Sequence, residues 1–194
     1  ACYQRQSDNF FIPTDEKGNN IWVNSTCLIK DGVLFGSQNK FYFYSYQDSS
    51  LRLLQSLNQE SNFNITQLSL WNDHTLLCCS RWQGLLLLDL NTGKYSLPPF
   101  DCGKEIMNML IDSQNRIWIA PYNGGVSCFT HDGTRLASYT TQNSELNNDV
   151  VLSLAEREGK IWIGTDGGGI NILEPKTGKF TLLEHIPGSD NYSL

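Results

Sequence analysis

The chain has 194 residues, of which 40% are hydrophobic and 11% aromatic, so it can bury a core and is not a disordered tail. Its 20 acidic and 14 basic residues give a formal net charge of −6, and no basic cluster is present, which argues against nucleic acid or anionic membranes as partners. The longest apolar run, residues 85–88, is too short to span a bilayer, and the polar start at residues 1–8 shows no signal peptide. These features predict either a cytosolic protein or a piece cut from something larger.

One pattern repeats four times along the chain, anchored in turn at residues 33–36, 76–79, 117–120 and 161–164. Before each anchor comes an apolar alternating run and a turn, and after it come a short polar tip and two further apolar runs. Such runs, separated by Gly- and Asn-rich turns, are typical of β-strands joined in hairpins. Because each period of 41–44 residues holds four short strands, the sequence predicts the blades of an all-β propeller.

The repeat boundaries divide the chain into blades at 24–57, 65–100, 106–140 and 150–186. We interpret residues 1–23 as an N-terminal segment with a partial blade, and residues 187–194 as a connector to a missing blade. A closed four-bladed ring and a fragment of a larger, seven-bladed type of propeller are both compatible with this count. We favour the fragment, because residues 187–194 resemble the connector 143–149 that leads into the last blade. Its terminal blades would then expose apolar faces, which predicts self-association or a homodimer.

The fourth repeat carries an N-x-V inner strand, an E-x-x-G-x-I-W-I-G-T core, a glycine tip and a P-x-T-G-x-F turn. It thereby resembles the two-component regulator propeller repeat. The matching residues are Val150, Glu156, Gly159, Ile161, Trp162, Gly164, Thr165, Gly168, Gly169, Pro175, Thr177, Gly178 and Phe180. The third repeat keeps Trp118 but has Ala120 and Pro121 where the pattern has Gly and Thr, and the first two repeats replace the Trp with Leu34 and Leu77.

The resemblance implies the periplasmic sensor region of a hybrid two-component protein of the kind found in Bacteroidetes. Such sensors usually detect polysaccharide-derived oligosaccharides to control glycan utilisation, and they dimerise. The kinase region would lie on the same parent polypeptide, outside these 194 residues. The missing signal peptide and membrane segment would then follow from truncation.

Candidate binding residues lie at the tips between the second and third strands, which propeller geometry places on one face together with the blade connectors. They are Arg81, Trp82, Tyr122, Asn123 and Asp166. Aromatic rings stack on the apolar C–H faces of sugars, while Arg and amide groups bind the hydroxyls, so these tips are a candidate oligosaccharide site. The alternative is that Trp82 and Tyr122 pack against adjacent blades.

Other conspicuous side chains receive a structural interpretation. Trp118 and Trp162 hold equivalent second-strand positions, which predicts packing between blades. The acids Asp73, Asp112, Glu16 and Glu156 lie at or near turns and are predicted to be solvated or turn-capping. The cysteines and histidines lack zinc-ligand spacing, so we expect most cysteines to be small buried hydrophobes and leave a disulfide between two of them open.

No catalytic residue, cofactor or metal is predicted, because neither a G-x-S-x-G nor an H-E-x-x-H motif is present. We therefore expect a non-catalytic chain. Two alternatives to a ligand sensor stay open. One is a propeller scaffold for protein–protein interaction, and the other is a propeller lyase or glycosidase whose site is assembled from scattered loops.

Overall fold

The computed structural model describes residues 2–4, 9–12, 14–57 and 63–183. All regular secondary structure in these residues is β-strand, arranged as four four-stranded sheets and one two-stranded sheet. Every strand pairing given by the register is antiparallel, and the all-β prediction is confirmed. No helix in the described part of the chain is long and apolar enough to cross a membrane. The predicted connector 187–194 and the end of the predicted fourth blade, from residue 184, lie outside the described residues.

The chain divides into two compact units, Ala1–Gln83 with Leu87–Tyr95, and Gly84–Leu86 with Ser96–Leu194. The first unit begins with a two-stranded sheet of β1 (Cys2–Gln4) and β2 (Asn9–Phe11). A turn follows, closed by the bridge between Thr14 and Asn20, in which the Asp15 carboxylate accepts hydrogen bonds from the backbone N–H groups of Lys17 and Asn19. Residues 21–24 form no strand.

The first four-stranded sheet has the order β3-β4-β5-β6. Its strands are β3 (Ser25–Ile29), β4 (Gly32–Ser37), β5 (Lys40–Ser45) and β6 (Leu51–Ser56). It packs closely on the second sheet, since a Cβ at Gly36 would lie 2.5 Å from Ile65 Cγ2. A side-chain hydrogen bond joins the same two sheets, from the Leu68 N–H to Ser25 Oγ at 2.8 Å.

The second sheet has the order β7-β8-β9-β10. Its strands are β7 (Ile65–Asn72), β8 (Thr75–Ser80), β9 (Gly84–Asp89) and β10 (Tyr95–Ser96). The last strand has only two residues. Pro98 and Pro99 follow it closely, and proline has no N–H to extend a ladder.

The second unit contains the third and fourth sheets. The third sheet consists of β11 (Ile106–Ile111), β12 (Ile117–Pro121), β13 (Val126–Phe129) and β14 (Arg135–Tyr139). The fourth consists of β15 (Val151–Arg157), β16 (Lys160–Thr165), β17 (Gly169–Glu174) and β18 (Lys179–Leu182). A hydrophobic core joins them, formed by Trp118, Ala120, Val126, Cys128, Leu146, Val151, Ile161, Ile163 and Leu173.

The two repeated tryptophans have different environments. Trp118 is 1% exposed and belongs to the core between the third and fourth sheets, so the prediction of packing between sheets is confirmed for it. Its ring also stacks on Tyr139 at a centroid distance of 6.5 Å. Trp162 is only half-buried, because it lies on the face of the fourth sheet opposite the core residues Ile161 and Ile163.

Among the turn acids, Asp112 fits the turn-capping alternative of the prediction and not the solvated one. Its side chain caps the turn, as expected, by accepting from the N–H groups of Gln114 and Arg116, each at 2.9 Å. It is nevertheless only 4% exposed. The reason is that its second oxygen accepts from Trp118 Nε1 at 2.8 Å, which holds the carboxylate against the buried ring. Asp73 and Glu16 are exposed, as predicted.

Glu156 has a partner on the neighbouring sheet. Its carboxylate accepts from the Ser113 N–H at 2.7 Å and from Ser113 Oγ at 2.5 Å. Glu156 is therefore neither free in solvent nor the cap of its own turn, and the prediction is wrong for this residue. It links the fourth sheet to the first turn of the third.

Asp112 and Glu156 each lie six residues before the Trp of their own sheet, yet their side chains point to opposite faces relative to that Trp. The length of the turn explains the difference. In the third sheet Leu110 lies opposite Trp118, so Asp112, two residues further on, shares the Trp face. In the fourth sheet the turn is one residue shorter, and Ala155 lies opposite Trp162. The one-residue change of register turns Glu156 to the other face.

The cysteines with described side chains largely behave as small hydrophobes. Cys78, Cys79 and Cys128 are buried, as predicted, and Cys27 and Cys102 are half-buried. Burial raises the pKa of the Cys128 thiol to about 12. Because the thiolate is the reactive form of cysteine, Cys128 has a packing role rather than a nucleophilic one.

Candidate functional site

Arg81 and Trp82 form the tip between β8 and β9 in the first unit. The Arg81 guanidinium lies over the Trp82 ring, 5.4 Å from its centroid. Trp82 is 61% exposed, and Ser80 Oγ, at the end of β8, donates to Gln83 Oε1. The tip therefore presents an aromatic face with a cation stacked on it, rather than a ring buried against a neighbouring sheet.

Tyr122 and Asn123 form the equivalent tip between β12 and β13 in the second unit. The Tyr122 N–H donates to Glu105 O at 2.7 Å, which fixes the backbone, while the side chain is 54% exposed. Asn123 has φ of +51°, a left-handed conformation that asparagine tolerates better than most residues. Its side chain is also exposed. Both residues therefore present polar or aromatic groups to solvent.

Gly125 closes this tip in a position that admits no side chain. Its φ is +65°, and a Cβ there would lie 2.1 Å from the carbonyl oxygen of Tyr139. The close approach places the Gly125 N–H within 2.9 Å of Asp149 O, on the connector that leads into the fourth sheet. The tip and the connector are thus joined through the backbone.

The connector, residues 143–149, and the three residues before it are held by their own side chains. Asp149 accepts from the Thr141 N–H at 2.7 Å and from Thr141 Oγ1 at 2.9 Å. Leu146 anchors the middle of the segment, because its side chain is buried in the core between the third and fourth sheets. These contacts give a loop without regular strands a defined shape.

Asp166 begins the tip between β16 and β17, and the connector binds its backbone. The Asp166 N–H donates to Val150 O at 2.9 Å, and its carbonyl oxygen accepts from Asn148 Nδ2 at 2.7 Å. The residue itself is exposed. Its carboxylate is thus presented to solvent on a backbone that is fixed on both sides.

A partly buried amide network, which the sequence interpretation missed, supports the same tip. Asn147 Oδ1 accepts from Asn171 Nδ2 at 2.8 Å and from Thr165 Oγ1 at 3.1 Å. Asn147 Nδ2 donates to Gly168 O, and Asn171 is 1% exposed. The only sequence signal was the run of amides and an acid at residues 147–149 directly before an apolar strand.

The second-unit tips therefore expose Tyr122, Asn123 and Asp166 on backbones that hydrogen bonds hold in place. Preorganised polar groups beside an aromatic ring are suited to recognising a hydroxylated ligand. Within the described residues, no group of three or more His, Cys, Asp or Glu side chains could hold a metal ion.

A concavity that the sequence did not predict lies in the first unit, between the turn at residues 14–19 and strands β5 and β6. Its volume is about 260 Å³, and it is lined by Asp15, Lys17, Lys40, Tyr42 and Leu53 among others. Ligand pockets commonly reach about 300–1,000 Å³, so this cavity would hold only a small molecule. The Asp15 carboxylate is already engaged in capping its own turn.

Residues 145–167 match the family model described as the two component regulator propeller. The matched stretch contains the end of the connector, β15, β16 and the start of the tip, and so includes Asn147, Trp162 and Asp166. A search of curated proteins found no match.

Several solved structures share the fold. One is named as the extracellular domain of a hybrid two component system from B. thetaiotaomicron, with a TM-score of 0.65 and 14% identity over 86% of this chain and 25% of that one. Another is named as the extracellular domain of a one component system from the same organism, with a TM-score of 0.65 and 20% identity over 87% and 23%. A computationally designed protein, Ika4, matches with a TM-score of 0.59 and 12% identity over 84% and 97%.

The chain spans about a quarter of the length of the two extracellular domains it matches. At these identities the likeness shows the fold, which is that of β-propeller blades. The family match adds that the fourth repeat is similar to the two component regulator propeller. The chain therefore contains a two component regulator propeller repeat, at residues 145–167, within sheets of propeller fold.

Proposed function

We propose that this chain is a non-catalytic, ligand-sensing part of the extracytoplasmic propeller of a hybrid two-component system. The observation that carries the proposal is the family match at residues 145–167. It is supported by the fold shared with structures named as extracellular domains of bacterial signalling systems. In this proposal the chain lies in the periplasm, and the kinase region belongs to the same parent polypeptide.

The ligand we propose is an oligosaccharide derived from a polysaccharide, bound by the tips between the second and third strands. Support comes from the exposed Trp82 ring with the Arg81 guanidinium stacked on it, and from Tyr122 beside Asn123. A sugar ring offers an apolar C–H face for stacking and several hydroxyls for hydrogen bonds. The first-unit tip offers a ring with a guanidinium, and the second-unit tips offer a ring beside an amide and, separately, a carboxylate; groups of these kinds complement both features.

Isothermal titration calorimetry of the chain against a panel of oligosaccharides tests the ligand proposal. We expect one class of glycan to bind, and Trp82→Ala to weaken that binding by about tenfold or more, as for an aromatic residue central to an interface. Trp22→Ala is the matched control, since Trp22 is also an exposed tryptophan, 81% exposed, but lies outside the tips. Equal losses in the two variants would show that Trp82 is not a specific contact.

A different experimental result would overturn each part of the proposal. Absence of binding to any glycan, with specific capture of a protein partner, would favour the scaffold. Turnover of a glycan during the titration would favour a propeller enzyme. The signalling role is tested by reading the parental gene, and a parent that lacks a membrane-spanning segment and a kinase region would overturn it.

A further inference from the structure

A larger concavity, of about 670 Å³, lies in the first unit, at the end of the first sheet that carries the β3–β4 and β5–β6 turns. The tip between β4 and β5 is at the opposite end of the same sheet. The lining side chains that can hold a ligand are those of Lys30, Asp31, Phe43, Tyr46 and Arg52. Ligand pockets commonly reach about 300–1,000 Å³, so this space is sufficient for a small organic molecule.

Two small residues explain why this end of the first sheet is open. In the third sheet the corresponding positions hold Trp118 and Arg116, whose guanidinium lies 5.4 Å from the centre of the Trp ring. The first sheet has Leu34 and Gly32 there. The Phe43 ring lies over Gly32, because a Cβ at this glycine would come within 2.5 Å of Phe43 Cε2. The smaller residues thus leave room for the ring and for the concavity beside it.

The Phe43 ring holds Arg52 at the concavity. The two residues stand directly opposite each other on β5 and β6, and the guanidinium carbon lies 5.1 Å from the ring centre. Phe43 is only 9% exposed and is a fixed support, whereas Arg52 is exposed. Within the described residues, no carboxylate forms an ion pair with Arg52 or with Lys30. A guanidinium held against a ring without a counter-ion is suited to bind two oxygens of a carboxylate or phosphate.

Tyr46 and Asp31 define what else the ligand can contain. The Tyr46 ring is 53% exposed, and it is positioned by an edge contact with Tyr44 and by its backbone N–H, which donates to Asp31 O at 3.0 Å. A flat apolar group can stack on such a ring. The Asp31 carboxylate is exposed at the rim, while the nearby Asp48 carboxylate already accepts from the N–H and Oγ of Ser50. Among the described lining residues, two cations therefore face one acid.

We propose that this concavity binds a small molecule that carries a carboxylate or phosphate group on a flat, largely apolar body. The Arg52 guanidinium and the Lys30 ammonium bind the oxygens of the anion, and the Tyr46 ring stacks on the body. The net charge of −6 opposes general attraction of anions to this chain, so binding depends on the placement of these two cations. The site is separate from the candidate binding tips, and the proposal does not depend on an oligosaccharide ligand.

Titrations of the 194-residue chain, followed by NMR of its backbone amides, test the proposal. The probes are benzoate, phenyl phosphate and benzyl alcohol, which has a similar ring without a charge. We expect at least one anion to bind saturably, with its largest shifts at residues 30–31 and 46–47, and benzyl alcohol to bind at least about tenfold more weakly. The tighter of the two anions distinguishes a carboxylate from a phosphate ligand. Added salt should weaken the binding, because it screens the two cations.

Arg52→Gln should weaken binding of the anion by about tenfold or more, because it removes the charged donor that contacts two oxygens. Arg135→Gln is the matched control and should bind as the unmodified chain does. Arg135 is also an exposed arginine on a buried ring, 5.4 Å from the centre of Phe129, but that ring is stacked on Phe100. Lys30→Gln changes an exposed side chain, so it tests the same site even if Arg52→Gln unfolds the chain.

Four results would overturn the proposal. They are the absence of saturable binding by both anions, equal binding of benzyl alcohol, largest shifts elsewhere on the chain, and equal losses in Arg52→Gln and Arg135→Gln. Unchanged binding in a folded Lys30→Gln variant would remove Lys30 from the site and contradict the pairing of the two cations. Because the probes are not sugars, failure here leaves the oligosaccharide proposal standing, and failure of the glycan titration leaves this site standing.

Discussion

The indole Nε1–H of Trp118 donates a 2.8 Å hydrogen bond to Oδ2 of Asp112, and both side chains are buried. The same oxygen accepts from Arg116 Nε at 2.7 Å, so one carboxylate oxygen joins a ring and a guanidinium. The Arg116 guanidinium also lies 5.4 Å from the centre of the Trp118 ring. Asp112 therefore holds together the end of the third sheet at which its first turn is made.

Asp112→Ala should lower the free energy of unfolding by about 3 kcal/mol, since it leaves a mostly buried guanidinium and an indole N–H unpaired. Asp73→Ala is the matched control, because Asp73 lies in the corresponding turn of the second sheet but is exposed. We expect its effect to stay within about 0.5 kcal/mol. Urea unfolding followed by fluorescence measures both, and similar losses would show that the buried network has no special role.

The same carboxylate should make stability depend on pH. Burial raises the pKa of Asp112, but hydrogen bonds from Trp118 and Arg116 outweigh burial and hold that pKa below the usual 3.8. Because the folded-state pKa lies below the unfolded one, ionised Asp112 stabilises the fold above that value, and this stabilisation is lost as pH falls through the folded pKa. The free energy of unfolding should therefore fall below about pH 4, and less steeply in Asp112→Asn.

Urea titrations between neutral pH and about pH 2.5 measure this difference. Glu158→Gln, at an exposed position, should keep the full pH dependence of the unmodified chain. Parallel pH profiles for Asp112→Asn and the unmodified chain would contradict the assignment.

The sheets could be predicted from the sequence because their signals are local. Alternation of apolar residues marks each strand, and Gly or Asn at the turns marks each hairpin, so every four-stranded sheet falls within a region interpreted as four strands. The tips at Trp82 and Tyr122 could also be predicted, because each lies between two strands with a clear apolar pattern. The last strand of the second sheet, β10, has only two residues, because Pro98 and Pro99 follow closely and limit the ladder.

Contacts between repeats could not be predicted in the same way. Asp112 and Glu156 precede their tryptophans by the same number of residues, yet one binds its own Trp and the other binds Ser113 on the adjacent sheet. The difference depends on one residue of turn length. Likewise, the supporting role of the connector follows only from the structure, in which Asn147 hydrogen-bonds with Asn171 and Thr165.

The Glu156–Ser113 contact should couple the third and fourth sheets. Glu156→Ala removes two hydrogen bonds and should cost about 1–2 kcal/mol, whereas Ser113→Ala removes only the hydroxyl bond and should cost about 1 kcal/mol. A double-mutant cycle should give a coupling of about 1 kcal/mol. Glu158→Ala, two residues away and exposed, serves as the control. Additive losses from the two single changes would mean that the side chains do not stabilise each other.

Alanine substitutions at Gly125 and Gly167 distinguish the stability cost of backbone strain from that of close packing. Both have a positive φ, +65° and +68°, in the tips of the third and fourth sheets. Alanine at Gly167 meets nothing within 4 Å, so it should cost only the strain of a left-handed residue, about 1 kcal/mol. Alanine at Gly125 would place its Cβ against Tyr139 O and should cost about 3 kcal/mol or more, because the tip must move away from the connector.

The Gly125 variant should therefore also disturb the hydrogen bond from residue 125 to Asp149 O, which amide hydrogen exchange can follow in the folded state. Gly167→Ala should leave that exchange unchanged. If the two variants were equally destabilised, with equal protection at residue 125, the close approach to Tyr139 would not determine the shape of this tip. A loss of stability and of amide protection in Gly125→Ala alone would instead show that the shape of this candidate binding tip depends on contact between the tip and the connector.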